Sequence, residues 1–250
     1  GYISADKYTN QTNGPLNVLY DVRGVSADGC EGDSEVITLT IDPEPVVDPS
    51  ITSTVCSDDI SGIILGVSGT STAAASYDIV GVTIPAGLTA GANAVVPASA
   101  VAAGYLNSDT YTNQTSSPII VTYEVKGNSG AGCQGDSEFI VVTVNPEPVL
   151  NPGLNTTVCS NDVVGVVFST NGTSVSASSY NLVSVTPSAG LLPGASNAMA
   201  GNGVANSHIQ NDTFENTTAG DLTVDYIVAP VSLQGCVGDQ VTVTVTIHPQ

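Results

Sequence analysis

Val241, Val243, Val245 and Ile247 alternate with Thr242, Thr244 and Thr246, a period of two that predicts a strand with one face buried and one wet. Its counterparts at 36–41 and 139–144 are more apolar on both faces. Each is preceded by a second alternating run: Leu222, Val224, Tyr226 and Val228; Ile119, Val121, Tyr123 and Val125; Leu16, Val18, Tyr20 and Val22. A tyrosine recurs on the inner face of all of them. Further strands are expected at 62–67, 76–84, 165–170 and 179–186, about seven per repeating unit once weaker runs are admitted. The Ala-rich stretch 98–103 could be mistaken for a helix, but Ala98 and Ala100 correspond to Gly201 and Gly203 further on, and two glycines oppose a shared helix.

That correspondence belongs to an internal repeat. Cys30, Cys133 and Cys236 are 103 residues apart, as are Cys56 and Cys159. The same shift aligns Tyr8-Thr9-Asn10-Gln11-Thr12 with Tyr111-Thr112-Asn113-Gln114-Thr115, and Pro43-Glu44-Pro45-Val46 with Pro146-Glu147-Pro148-Val149, without a gap. A period near 100 is a domain and not a solenoid turn. The segments DPEPVVDP and NPEPVLNP read as stiff extended connectors. They divide the chain into the back half of one domain (1–45) and two complete domains (46–147 and 148–250). The expected fold class is all-β, a tandem array of immunoglobulin-like sandwiches. A half-domain would expose unpaired edges, so the chain reads as a fragment of a longer array, or as one whose front strands come from another chain.

Composition narrows the partners. Three Lys and Arg against 23 Asp and Glu give a formal charge of −20. Nucleic acid and anionic membrane surfaces are excluded as partners, since both require clustered basic residues. With 41% hydrophobic and only 10% charged residues, the chain can nonetheless bury a core. No apolar run approaches the ~18 residues of a membrane span, and the first residues lack a signal-peptide pattern.

Five cysteines without a CxxC pair or neighbouring His do not form a zinc site; disulfides are the natural reading. Two pairings suit the period. Within domains, Cys56 would join Cys133 and Cys159 would join Cys236; across the connectors, Cys30 would join Cys56 and Cys133 would join Cys159. The first is preferred, because Cys30 is then the orphan of an absent front half. Closing a 77-residue loop would stabilise by about 4 to 5 kcal/mol. Such bonds imply an oxidising, extracellular compartment.

The strings VCSDDISGIILGV, SDTYTNQTSSPIIVTYEV and GAGCQGDSEFIVVTVNPEP, and their counterparts TVCSNDVVGVVF, NDTFENTTAGDLTVDYIV and QGCVGDQVTVTVTIHP, resemble the PKD-like repeat of giant surface proteins of Bacteroidota. The likeness covers nearly the whole chain, although the Trp that many such repeats carry is missing. It implies a β-sandwich, a disulfide joining VCS to GCxG, and tandem arrays in secreted cell-surface adhesins. These include adhesins of gliding motility, usually exported by type IX secretion.

Candidate sites follow from the favoured pairing. A Cys56–Cys133 bond would draw Asp58, Asp59 and Asp136 to one end of a sandwich, and a Cys159–Cys236 bond would do the same for Asp162 and Asp239. Clustered carboxylates suit calcium; the alternative is that these residues cap turns and face water. Asp6, Asp109 and Asp212 recur in all three copies and read as turn residues, while Glu44 and Glu147 lie in the connectors. His208 and His248 align with Tyr105 and Asn145 and so belong to no repeated site, and no nucleophile elbow, P-loop or dinucleotide motif is present. Sequons at Asn10, Asn113, Asn155, Asn171, Asn211 and Asn216 suit chance in a Thr- and Asn-rich chain.

The expected role is therefore non-enzymatic: a stalk or filament segment at the cell surface, in contact with neighbouring repeats and presenting an adhesive tip. The alternatives are a carbohydrate- or protein-binding module using loops 86–104 and 189–207, or a subunit of a self-assembling filament.

Overall fold

A computed structural model describes residues 2–92, 94 and 97–250. Among the described residues, helix is confined to a 3-10 turn at Tyr2–Ala5, and the rest of the regular structure is strand. A hairpin comes first, formed by β1 (Leu16–Val25) and β2 (Glu31–Ile41). A seven-stranded unit follows: β3 (Thr52–Cys56), β4 (Ala74–Thr83), β5 (Leu88–Ala90), β6 (Ala98–Val101), β7 (Tyr111–Asn113), β8 (Ile119–Ser129) and β9 (Glu138–Asn145). A second unit repeats it as β10 (Thr156–Cys159), β11 (Ala177–Pro187), β12 (Leu191–Pro193), β13 (Gly201–Val204), β14 (Phe214–Asn216), β15 (Leu222–Ser232) and β16 (Val241–His248).

Each unit has a five-stranded sheet, ordered β3-β9-β8-β4-β6 and β10-β16-β15-β11-β13, faced by a short ladder, β5-β7 or β12-β14. The all-β sandwich expected from the alternation is what forms. Its pairings are antiparallel except one per unit: β3 lies parallel to β9, with Cys56 opposite Asn145, and β10 lies parallel to β16, with Cys159 opposite His248. Ala98–Val101 is strand, as the paired glycines of the next copy indicate. The runs 62–67 and 165–170 depart from expectation. Their alternate residues Ile63, Leu65, Val166 and Phe168 are buried, but the segments touch the sandwich through bridges such as Val47 to Val67 and form no strand of their own.

The alternating positions build the cores. Val121, Tyr123, Val125, Ile140, Val142 and Val144 are fully buried in the first unit, and Val224, Tyr226, Val228, Val245 and Ile247 in the second. Two polar devices are set into them. Asp109 and Asp212, read from sequence as turn residues, are instead buried carboxylates that accept the hydroxyls of Tyr123 (2.8 Å) and Tyr226 (2.9 Å). Burial holds both tyrosines well above their usual range and raises Asp212 as well. In the hairpin, Tyr20 donates to Asp6 in the same way, but on the surface. The second device is the asparagine of the YTNQT motif. Asn113 donates to the carbonyls of Ser117 and Val144 while its Oδ1 accepts Thr115, tying a turn to the end of the last strand. Asn216 repeats these bonds, and Asn10 repeats them in the hairpin. All three side chains are buried, so these sequons are structural and offer no acceptor to a glycan.

The connectors are not free spacers. Pro146, Glu147 and Pro148 are buried, and Glu147 N–H donates to the Asn113 carbonyl. The GCxGD motif receives them. Its first glycine, Gly132 or Gly235, turns the chain at φ +86° or +88°, a conformation that disfavours side chains. Its second, Gly135 or Gly238, lies under the connector: a Cβ there would sit 1.9 Å from the carbonyl oxygen of Pro45 or Pro148. Gly32 is the third copy, and nothing presses on it closer than 3.6 Å. Gly238→Ala is therefore expected to destabilise the junction by about 1–3 kcal/mol, the usual range for forced overpacking. Gly32→Ala should stay within about 0.5 kcal/mol of the parent. Chemical denaturation of the two variants checks the contrast.

Candidate functional site

Geometry at the junction between the two complete units overturns the expected disulfides. The bond present joins Cys56 to Cys236, with Cα atoms 5.3 Å apart and 180 residues between them, while Cys30, Cys133 and Cys159 are free thiols. Neither the intra-domain pairs nor the connector-spanning pairs form. The reason lies in strand direction. Cys56 ends β3 beside Asn145, the last residue of β9, whereas Cys133 lies in the turn that precedes β9 at Glu138. Those positions stand at opposite ends of a strand roughly 20 Å long, at ~3.3 Å per residue. A disulfide requires Cα atoms within about 7 Å. Head-to-tail stacking instead brings the GCxGD turn of the second unit onto the end of the first where Cys56 emerges. The 103-residue period permits this third pairing, VCS of one repeat with GCxG of the next, as readily as the other two.

The turn that presents the sulfur does not depend on the bond. Ser232 N–H donates to the Cys236 carbonyl, and Cys236 N–H returns to Ser232 Oγ. Ser129 with Cys133, and Ser26 with Cys30, make the same pair of bonds as free thiols.

Beside the disulfide the carboxylates regroup. Asp58, Glu147 and Asp239 each offer an oxygen, and these atoms lie within 4.8 Å of one another. One comes from the first unit, one from the connector and one from the second unit. Of the sequence-derived calcium candidates, Asp58 and Asp239 thus meet across the junction, while Asp59, Asp136 and Asp162 stay exposed outside the cluster. Asp58 is held at φ +65° in the turn after β3, its N–H donating to the Tyr111 carbonyl and its carboxylate accepting Thr112 Oγ1. Glu147 is the member that sequence reasoning set aside, and it is 2% exposed. Gln114 Nε2 donates to its Oε1 at 2.9 Å and reaches Asp239 at 3.4 Å. Burial, reinforced by the neighbouring charges of Asp58 and Asp239, pushes the Glu147 carboxyl up to about 7. Hard oxygen donors converging from two rigid bodies and a buried connector suit a divalent cation such as calcium, which takes carboxylates and carbonyls without strict geometry.

Other candidates are dispersed. His248 pairs with Asp221 at 2.7 Å on the surface, and His208 meets the Met199 carbonyl. A shallow groove lies beside loop 86–104, of which positions 93, 95 and 96 are outside the described residues. Asp78 in that groove is already engaged by Ala100 N–H and Gln134 Nε2, and no aromatic platform lines it. No helix among the described residues is long and apolar enough to cross a membrane.

A family model described as the PKD-like domain matches residues 2–45, 53–148 and 193–250. No curated protein matches the chain. Solved structures similar to it include protocadherin gammaB7 EC3-6, at 10% identity over 94% of this chain and 58% of that one, with a TM-score of 0.26. Mouse clustered PcdhgC3 EC1-3 is similar at 7% identity over 96% and 78%, with a TM-score of 0.31. The Bacteroides ovatus mixed-linkage glucan utilization locus SGBP-B, in complex with a heptasaccharide, is similar at 15% identity over 95% and 54%, with a TM-score of 0.19. The chain spans little more than half of the first of these. Likenesses this loose carry no functional argument, whereas the family match takes in the hairpin, nearly all of the first unit and the back of the second, and includes Val55-Cys56-Ser57, the GCxGD turns and the PEP segments. The chain belongs to the PKD-like domain family.

Proposed function

We propose that this chain is a spacer segment of a secreted cell-surface adhesin, non-enzymatic, divided into domains near 45/46 and 147/148, and built to hold its length under tension. The observation that carries the reading is the Cys56–Cys236 bond, because it changes the path along which force travels. Pulled from its two ends, the chain transmits load through residues 1–56, across the sulfur bridge, and through 236–250. Most of both complete hydrophobic cores lies outside that path, which takes in Val47 of the first and Val243, Val245 and Ile247 of the second. The bond also closes a long loop, worth about 5 kcal/mol on the chain-entropy model. Acidity supports the same reading, since a charge of −20 keeps neighbouring arrays apart. A bacterial surface location, gliding motility and type IX export are proposals that follow from the sequence resemblance.

Calcium is proposed as the ion that completes the junction. Asp58, Glu147 and Asp239 would hold it, and its charge would offset the burial and the neighbouring carboxylates that raise Glu147. A cation there joins two units and their connector at one point, adding to the backbone bonds that already hold the joint.

Single-molecule stretching tests the load path. The oxidised chain is expected to withhold the 180-residue loop, roughly 600 Å of contour at ~3.5 Å per residue, and to release it in one block after reduction. Two separate locks of roughly 270 Å each would instead indicate intra-domain bonds and defeat the proposal.

The calcium reading has its own check. Glu147 has a folded value of about 7, above its ordinary 4.5, so between those values the folded state holds more protons than the unfolded one. Its contribution is therefore fully present below pH 4.5 and is lost as pH rises through 7. Relative to Glu147→Gln, the parent should lose midpoint temperature from pH 5 to pH 7.5, and about 2 mM calcium should restore it at pH 7.5 but not at pH 5. A parent insensitive to calcium at pH 7.5 removes the ion from the account.

A further inference from the structure

The junction between the hairpin and the first complete unit repeats the junction between the two complete units, except that one strand is missing. Thr72 N–H donates to the Thr12 carbonyl as Val175 N–H does to Thr115. Val46 N–H donates to Ser71 Oγ as Val149 N–H does to Ser174. Pro45 lies over Gly135 as Pro148 lies over Gly238. Glu44 and Gln11 are hydrogen-bonded as Glu147 and Gln114 are, and Asp136 takes the place of Asp239. Cys133 therefore occupies the position of Cys236, with its Sγ 4.0 Å from the carbonyl of Asp42, the residue equivalent to Asn145. Beside Asn145 lies Cys56, carried by β3; beside Asp42 no strand lies among the described residues.

What is missing is legible from the hairpin itself. In both complete units, the strand corresponding to β2 sits between two neighbours, whereas among the described residues β2 pairs only with β1. The inner face is uncovered too: Val22, Ile37 and Leu39 are 40%, 46% and 40% exposed, while their equivalents Val125, Ile140 and Val142 are all at 0%. Twice in this chain such a face is covered by the same occupant, a front half whose T-V-C strand (Thr54-Val55-Cys56 in β3, Thr157-Val158-Cys159 in β10) runs parallel to the last strand.

We propose that the hairpin face and Cys133 together form a docking site for the front half of one further PKD-like repeat, whose T-V-C strand adds parallel to β2 and whose cysteine bonds to Cys133. By the same rule Cys159 is a donor cysteine, positioned for the GCxG turn of a following repeat. Staples would then overlap along the array, each spanning two units. The bond forms when two thiols give up two protons and two electrons to a disulfide oxidant, which is reduced to two thiols. The inference rests on the equivalence of the two junctions and holds whether or not the array bears tension.

The probe is a synthetic peptide of residues 51–58, ITSTVCSD, carried as a mixed disulfide with thionitrobenzoate and added to the oxidised chain. The Cys133 thiolate attacks the peptide sulfur, one S–S bond forms as another breaks, and thionitrobenzoate leaves with the electron pair. Peptide mapping over time should show Cys133 labelled at least tenfold faster by this peptide than by a scrambled one, or by one N-methylated at Thr54 and Val55. Cys30 and Cys159 should show no such preference. Hydrogen exchange across 38–42 should slow in the conjugate. Equal rates for the three peptides, a preference at Cys30 or Cys159, or a Cys133 conjugate without protection of 38–42 would each overturn the proposal.

Discussion

The parallel pairing of the first strand with the last governs the rest of this molecule. In an otherwise antiparallel sandwich, β3 must run in the same direction as β9, so its C-terminal Cys56 emerges where β9 also ends, at the exit to the next unit. The turn carrying Cys133 is thereby sent to the opposite end. Once both facts hold, a bond within the unit is geometrically excluded, and the sulfur at each exit faces the GCxGD turn of whatever unit stacks there. The location of the carboxylates follows, because Asp58 and Asp239 each lie within three residues of the bonded cysteines.

A consequence is that the junction is the most densely specified part of the chain. Proline fixes the direction of the connector, and its buried backbone leaves room for no side chain at Gly135 or Gly238. Buried Asn113 ties the adjacent turn to the end of β9, and its backbone carbonyl takes the Glu147 N–H. These are neutral bonds satisfied within the protein, so they hold the joint whatever the pH or salt. The acidic trio is different in kind. Burial of Glu147, with the charges of Asp58 and Asp239 beside it, makes that carboxyl keep its proton near neutrality. The joint is thus rigid through its backbone and tunable through its charge.

Residues that looked similar from spacing have separated into distinct roles. Asp109 and Asp212 belong to the interior, bonded to the buried tyrosines Tyr123 and Tyr226. Asn10, Asn113 and Asn216 match a glycan acceptor pattern yet are consumed by internal bonds. Glu147, placed by sequence in a connector, is buried between two units. The asparagines are polar because the backbone around them needs partners, and the aspartates because a buried tyrosine hydroxyl does, demands invisible until the strands are in place.

Alternation of Val and Thr determined the strands, the recurring tyrosine marked the inner face, and the 103-residue period determined that the units are equivalent, since these depend on local periodicity and on identity between copies. Glycine and proline at the connector were visible as well, though not what they press against. Only the tertiary structure decided which cysteines meet and which carboxylates cluster. Those contacts join residues on different units, and their proximity depends on strand direction and on how one sandwich stacks on the next. Neither leaves a trace in spacing, because a translational repeat maps a bond within one unit and a bond to the next onto the same period.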